Sequence, residues 1–340
     1  MPARDVQDFL KGFRDQAADG LKLGTEFCAH HNFRCYPRIL FMAVGGSAMS
    51  GDILRVLVSD RSNFHLCVHR EADLPRWVGD DTFVIFSSYS GNSKEVLRAF
   101  GQFRVREGNA LVVTSGGELA ALAAEKKVPC LKIPGGIPPR CALGYLAFSV
   151  LPVLERVGDF RVPQEEIREM LEILRTDVRP EARRIASKLK GRMIALYGVS
   201  GFMEPAVMRW RAQLAENAKT LSAHHFLPEM LHNEIEGWRE PAGILRRSAV
   251  VFLTDPSDWS ELEPKRRAAA AHMKKCGAKV LTLESRGERP LARLFSLILL
   301  GDWVSYELAA MNRVDPFGIP TIDRIKNIQL DPSKAKGYRG

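Results

Sequence analysis

Thr82-Phe83-Val84-Ile85-Phe86 is followed by Ser87-Ser88-Tyr89-Ser90-Gly91-Asn92-Ser93 and then by Lys94–Phe100: an apolar run, seven residues holding four serines, and a stretch of helical periodicity. A short run of β-branched and aromatic residues reads as a buried strand, and the change of period after it marks a strand-to-helix turn. A phosphate suits such a turn. Hydroxyls donate to a dianion, Gly91 permits a tight bend, and the first amides of the next helix add donors and a favourable dipole. The same residue types also cap helices, so this loop alone leaves an ordinary capped turn and an anion socket equally open.

A second loop shifts the balance. Arg38–Val44 reads as another buried strand and runs into Gly45-Gly46-Ser47-Ala48-Met49-Ser50-Gly51-Asp52, then a helix to about Val58. The segment has neither the G-x-G-x-x-G spacing of dinucleotide folds nor the Gly-Lys-Ser/Thr ending of a nucleotide P-loop, so no such cofactor is expected. Two serine-bearing loops at the carboxyl ends of parallel strands would face one crevice, where open α/β sheets hold their ligands.

Working outward, strands are expected at 38–44, 64–68, 82–87, 109–114 and 129–133, with helices between most of them and helical periodicity over Val6–His30. This alternation predicts a doubly wound α/β fold. Helices are expected over 141–157 and 164–189, the second a charged surface bridge starting at Pro163, with a linker at Gly158–Pro163. The opening pattern then returns: a strand at Arg192–Tyr197, the turn Gly198-Val199-Ser200-Gly201, and a helix from Pro205 to about Leu221. Further strands are expected at Ala249–Thr254 and Lys279–Leu283. The predicted architecture is two tandem doubly wound parallel-sheet αβα sandwiches, residues 1–160 and 161–340. After the strand ending at Thr254 comes Asp255-Pro256-Ser257-Asp258, whose carboxylates would repel a phosphate, so the anion is expected in the first half and the chemistry in the second.

Composition excludes several other classes. With 340 residues, 46% hydrophobic and 26% charged, the chain reads as an ordinary globular protein. The start, Met1-Pro2-Ala3-Arg4-Asp5-Val6, shows no apolar leader, and the run Leu294–Leu300 is too short to span a bilayer. A cytoplasmic location without membrane association is expected. Cysteines at 28, 35, 67, 130, 141 and 276 form no metal-ligand spacing, which predicts reduced thiols and no metal site. A net charge of +9 is dispersed over helix faces and matches no nucleic-acid-binding signature; it favours arrival of a small anion.

Five separated motifs carry a family resemblance: Gly45-Gly46-Ser47-Ala48 with Gly51-Asp52; Ser88–Ser93; Pro139-Arg140-Cys141-Ala142-Leu143-Gly144-Tyr145; Glu216-Asn217-Ala218-Lys219; and Pro228-Glu229-Met230-Leu231-His232-Asn233-Glu234-Ile235-Glu236-Gly237-Trp238. A weaker sixth runs from Val314-Asp315-Pro316 through Ile322-Asp323-Arg324 to Lys326. Their order resembles the bifunctional phosphoglucose/phosphomannose isomerases, built from two sugar isomerase (SIS) domains. The resemblance implies that Gly46, Ser47, Ser88, Ser90 and Ser93 bind the substrate phosphate, Glu216 is the catalytic base, His232 opens the sugar ring, and Arg140 and Lys326 complete the site. It also implies a homodimer in which the histidine serves the neighbouring subunit. Cys141 stands where alanine is commoner in the family, Met230-Leu231 replace leucine-asparagine before the histidine, and Ser93 replaces threonine.

Aldose–ketose isomerisation needs a base that moves a proton between C2 and C1 through a cis-enediol, with cations to stabilise the developing enediolate. Taken alone, Glu216 would read as one more solvent-facing helix glutamate, Arg140 as a surface arginine at a helix start, His232 as a core histidine and Lys326 as a solvated lysine. With the resemblance, the expected function is interconversion of glucose 6-phosphate, and mannose 6-phosphate, with fructose 6-phosphate. The alternatives are a non-catalytic sugar-phosphate sensor and an isomerase or lyase for another phosphosugar, such as an amino sugar phosphate.

Overall fold

The computed structural model describes residues 5–105, 108–326 and 328. Strands β1 (Arg38–Ala43), β2 (His65–His69), β3 (Thr82–Ser87), β4 (Ala110–Thr114) and β5 (Cys130–Lys132) form one sheet in the order β2-β1-β3-β4-β5. A second sheet holds β6 (Met193–Val199), β7 (Ser222–Leu227), β8 (Ser248–Thr254) and β9 (Lys279–Glu284) in the order β7-β6-β8-β9. Every pairing is parallel. The second sheet repeats the order of the first four strands of the first, as the recurring sequence pattern predicts. β3, β4 and β8 are buried along their whole length, which is why they read as unbroken apolar runs: helices cover both faces of a parallel sheet.

In the first sheet Arg38 is level with Thr82 and Ala43 with Ser87, so β1 and β3 end side by side. Chain order reverses between these two strands, and the loops that follow them flank the crevice at the switch point.

Three expectations about elements are corrected. The stretch 164–189 is two helices, Gln164–Ile173 and Arg179–Leu189, the second with Pro180 in its first turn. They bury Ile167, Met170, Ala182, Ile185 and Leu189 and pack against the helix Pro290–Asn312 instead of bridging along the surface. The helix after Gly201 spans Glu204–Glu216 and stops five residues before Leu221, which is exposed. β7 has no counterpart among the expected strands. Its sequence, Ser222-Ala223-His224-His225-Phe226-Leu227, is polar because it lies at a sheet edge and is only partly buried.

The apolar run Leu294–Leu300 sits inside the 23-residue helix Pro290–Asn312, long and apolar enough to cross a membrane by length and composition. Most of it is buried within the protein, where Trp210 donates its indole N–H to the Leu297 carbonyl at 2.8 Å. The two halves are joined by a two-pronged Arg61–Glu166 pair at 2.7 and 2.8 Å and by Arg55–Glu204 at 2.7 Å. All six cysteines are free thiols.

Candidate active site

After β1 the chain enters the helix Gly45–Val58, whose start at Val44 has no side-chain cap. After β3 it forms the Ser88–Ser93 loop and enters the helix Lys94–Gln102, again without a side-chain cap. Each first turn therefore presents backbone N–H groups and the positive end of a helix dipole to the crevice. The loops are tied together: the Tyr89 N–H donates to Ser47 Oγ at 3.1 Å. With that lone pair used, the Ser47 hydroxyl still has its proton to donate. Ser88 Oγ and Ser93 Oγ share a hydrogen bond of 2.9 Å, and Ser90 Oγ accepts from the Asn92 N–H at 3.3 Å. Gly91, at φ +70°, lies so close to the Gly116 carbonyl that a Cβ would fall 1.9 Å from its oxygen, so no side chain fits at this bend. The serines expected to bind phosphate are thus gathered on two joined loops.

Tyr89 carries the cradle onward to Arg140. Its hydroxyl donates to the Pro134 carbonyl and accepts from the Ile137 N–H, both at 2.9 Å, fixing the segment that leads into the turn Pro139–Cys141. A Cβ on Gly46 would lie 3.1 Å from the Pro139 carbonyl group and 3.2 Å from the Arg140 amide nitrogen. The start of the cradle helix therefore rests directly on the arginine turn.

Arg140 is a buried side chain rather than a surface one. Its Nε donates to Asn217 Oδ1 at 2.7 Å, and Nη2 donates to the carbonyls of Pro316 and Phe317 at 2.7 and 2.8 Å. Nη1 points toward Glu216, 3.6 Å from its Oε2. Glu216 ends its helix and is partly shielded from solvent. A second cation stands nearby: Lys219, at φ +52°, donates to the backbone carbonyls of Glu216 and Gly318. Partial burial and the Arg140 charge pull its ammonium below the ordinary lysine value. Opposite these cations Asp315 accepts from the amides of Phe317 and Gly318, which hold its carboxyl below the usual range and fix the strap 314–318.

The structure thus unites Gly46, the serine loops, Arg140 and Glu216. It does not bring His232 or Lys326 to them within one protomer. His232 is exposed at the end of the turn Glu229–His232 after β7 and makes no hydrogen bond or ion pair among the described residues. It is therefore not the core histidine its residue type alone suggests. Lys326 ends the exposed helix Pro320–Lys326 and likewise touches none of the site groups. Asn217, Lys219 and the carbonyls of 316–318 lie in or beside the quoted motifs, yet their roles are not legible there because their contacts join segments 77 to 177 residues apart.

In the second half the corresponding turns hold charges of their own. Glu204 takes the Gly201 N–H at 3.0 Å and pairs with Arg55, so the loop after β6 is occupied by a side-chain carboxylate. Asp255, after β8, is buried and bound by Arg293 at 3.0 Å, with Ser257 and Ser285 donating to it. Among the described residues, these contacts fill the second half's turns with carboxylates, leaving the serine loops of the first half as the candidate anion cradle.

Residues 179–328 match the family model described as the bacterial phospho-glucose isomerase C-terminal SIS domain. The chain is 32% identical to a bifunctional phosphoglucose/phosphomannose isomerase of Caldicellulosiruptor bescii, over 92% of this chain and 95% of that protein. A protein of the same name from Thermoplasma acidophilum is 31% identical over 95% and 96%. Among solved structures, the C-terminal domain of glucosamine-fructose-6-phosphate aminotransferase from Francisella tularensis superposes with a TM-score of 0.71 at 13% identity, covering 92% of this chain and 97% of that one, a likeness of fold. Aligned with such relatives over nearly its full length, the chain belongs to the bifunctional phosphoglucose/phosphomannose isomerase family.

Proposed function

We propose that this protein interconverts glucose 6-phosphate, and mannose 6-phosphate, with fructose 6-phosphate through a cis-enediol, without a cofactor. In this reading Ser47, Ser88, Ser90 and Ser93, with the amides from Gly46 onward, grip the phosphate. Glu216 removes the C2 proton of the open-chain aldose and returns it to C1. The Nη1 end of Arg140, whose N–H groups make no hydrogen bond among the described residues, meets the negative charge that develops on the enediolate oxygens. Mannose and glucose differ in the face carrying the C2 proton, and rotation about C2–C3 in the enediol lets one carboxylate serve both.

The observation that carries the proposal is the short chain of contacts from cradle to carboxylate: Gly46 against the Arg140 amide, and Arg140 Nη1 3.6 Å from Glu216. Ring opening falls to His232, whose imidazole takes the C1 hydroxyl proton and gives one to the ring oxygen. Because it stands exposed and away from Glu216, the reading includes a homodimer with His232 donated across the interface, and Lys326 brought to the sugar oxygens by its exposed helix. A cytoplasmic location and the division into 1–160 and 161–340 belong to the same proposal.

The test is solvent-deuterium exchange into fructose 6-phosphate by the purified protein. Glu216→Gln, checked for an unchanged fold, is expected to lower exchange by about 10³-fold. Wild-type exchange in that variant would remove the base, and phosphosugar binding by the unaltered protein with no exchange would identify a sensor instead of an enzyme.

A further inference from the structure

Arg140 has five N–H groups, and three are consumed by protein acceptors: Nε by Asn217 Oδ1 at 2.7 Å and both on Nη2 by the carbonyls of Pro316 and Phe317. Among the described residues, only Nη1 keeps donors for anything else, and it is the end that faces Glu216. A planar guanidinium held at Nε and at one terminal nitrogen has no rotational freedom left, so its remaining nitrogen is aimed. Asn217 supplies the side-chain half of that clamp and is the residue next to Glu216.

Asn217 is itself fixed. It is fully buried, and its Nδ2 donates to Ser305 Oγ at 2.9 Å. The Ser305 hydroxyl donates to the Asp302 carbonyl at 2.7 Å. The Asp302 carboxylate pairs with Arg209 at 2.7 Å, and Arg209 returns a hydrogen bond to the Arg140 carbonyl at 3.0 Å. The path closes on itself, from Arg140 through Asn217, Ser305, Asp302 and Arg209 back to Arg140. It holds the arginine at its backbone and at its side chain from one buried helix, Pro290–Asn312.

We propose that Asn217 is a positioning residue for the isomerisation, setting the direction in which Arg140 Nη1 meets the developing enediolate. The inference rests on the roles proposed above for Glu216 and Arg140. An aimed charge helps most where negative charge appears, in the transition state, so its loss lowers kcat more than it weakens substrate binding.

Two nearly isosteric variants separate aiming from packing. Asn217→Leu removes the acceptor for Nε; with its fold verified, kcat for fructose 6-phosphate is expected to fall about 10- to 100-fold with KM within about threefold. Asn217→Asp keeps the acceptor and is expected to recover most of that turnover. A folded Asn217→Leu enzyme with wild-type kcat, or one changed in KM alone, overturns the proposal, as does an Asp variant no better than Leu. Should the Leu variant not fold, Ser305→Ala decides: it leaves the Arg140 bond but frees the far side of Asn217, and kcat lowered about threefold or more at unchanged KM supports the inference, while wild-type kcat overturns it. Glu216→Gln and Arg140→Ala are assayed alongside. If they keep turnover, the underlying reading of the reaction fails; if they lose it while folded Asn217→Leu keeps it, the positioning role alone fails.

Discussion

At the scale of single residues, the site depends on one missing methyl group. Gly46 lets the first turn of the cradle helix rest on Pro139 and Arg140, and the atoms a Cβ would meet there are backbone atoms, which cannot swing aside as a side-chain tip can. Gly46→Ala is expected to push the proposed phosphate cradle and Arg140 apart by a few tenths of an ångström, at a cost in stability of about 1–2 kcal/mol. If the cradle anchors the phosphate and Arg140 acts at the other end of the sugar, as proposed, that displacement misaligns both, so kcat/KM is expected to fall about tenfold or more. Steady-state assays with fructose 6-phosphate and thermal unfolding of the same preparation check the two effects, and unchanged kcat/KM would show that the contact does not set the geometry of the reaction.

At the scale of elements, the two sheets share a winding but differ in what stands at their switch points. The first presents hydroxyls and uncapped helix starts; the second is filled by Glu204 and by the bound Asp255. Beside Asp255, burial pushes the Asp258 carboxyl up to about 6, with Asp255 and Glu263 raising it further and the Asp255 N–H and Arg266 drawing it down. A carboxyl whose folded value lies above its unfolded one of about 3.9 stabilises the fold below pH 4, and loses that contribution as pH rises through 6. Asp258→Asn keeps an oxygen for the Asp255 N–H and carries no charge, so at pH 7.5 it is expected to be more stable than the parent by about 1 kcal/mol, after discounting for partial exposure. The gain is expected to vanish near pH 4; melting curves at both pH values test this, and a gain that grows on acidification would refute it. Burial decides what could be read in the sequence. β3, β4 and β8 announce themselves because strands covered on both faces are apolar throughout, whereas β7, at an edge with two histidines, carries no such signal. The serine loops are legible because a local turn makes them. The clamp on Arg140 is not, because Asn217, Pro316 and Phe317 come from segments that only tertiary packing brings together.

At the scale of the whole molecule, one protomer holds the cradle, Arg140 and Glu216 together and carries His232 elsewhere, and the proposed homodimer resolves this. The turn that bears His232 is anchored from behind: Glu234 receives the Tyr197 hydroxyl from β6 and pairs with His225 of β7 at 2.7 Å, while the Trp238 indole donates to Tyr197 at 3.0 Å. A histidine held outward on a braced turn is suited to reach a neighbour. In a two-fold dimer each site would then combine Glu216 of one chain with His232 of the other. Glu216→Gln and His232→Ala homodimers should each be nearly inactive toward the ring-closed sugar. When the two are unfolded together and refolded as an equal mixture, half the dimers are mixed, and one site in each mixed dimer pairs the intact glutamate with the intact histidine. Activity is therefore expected to return to about a quarter of the wild-type level. If both residues served the same protomer, every chain in the mixture would lack one of them, and activity would stay at the level of the separate variants.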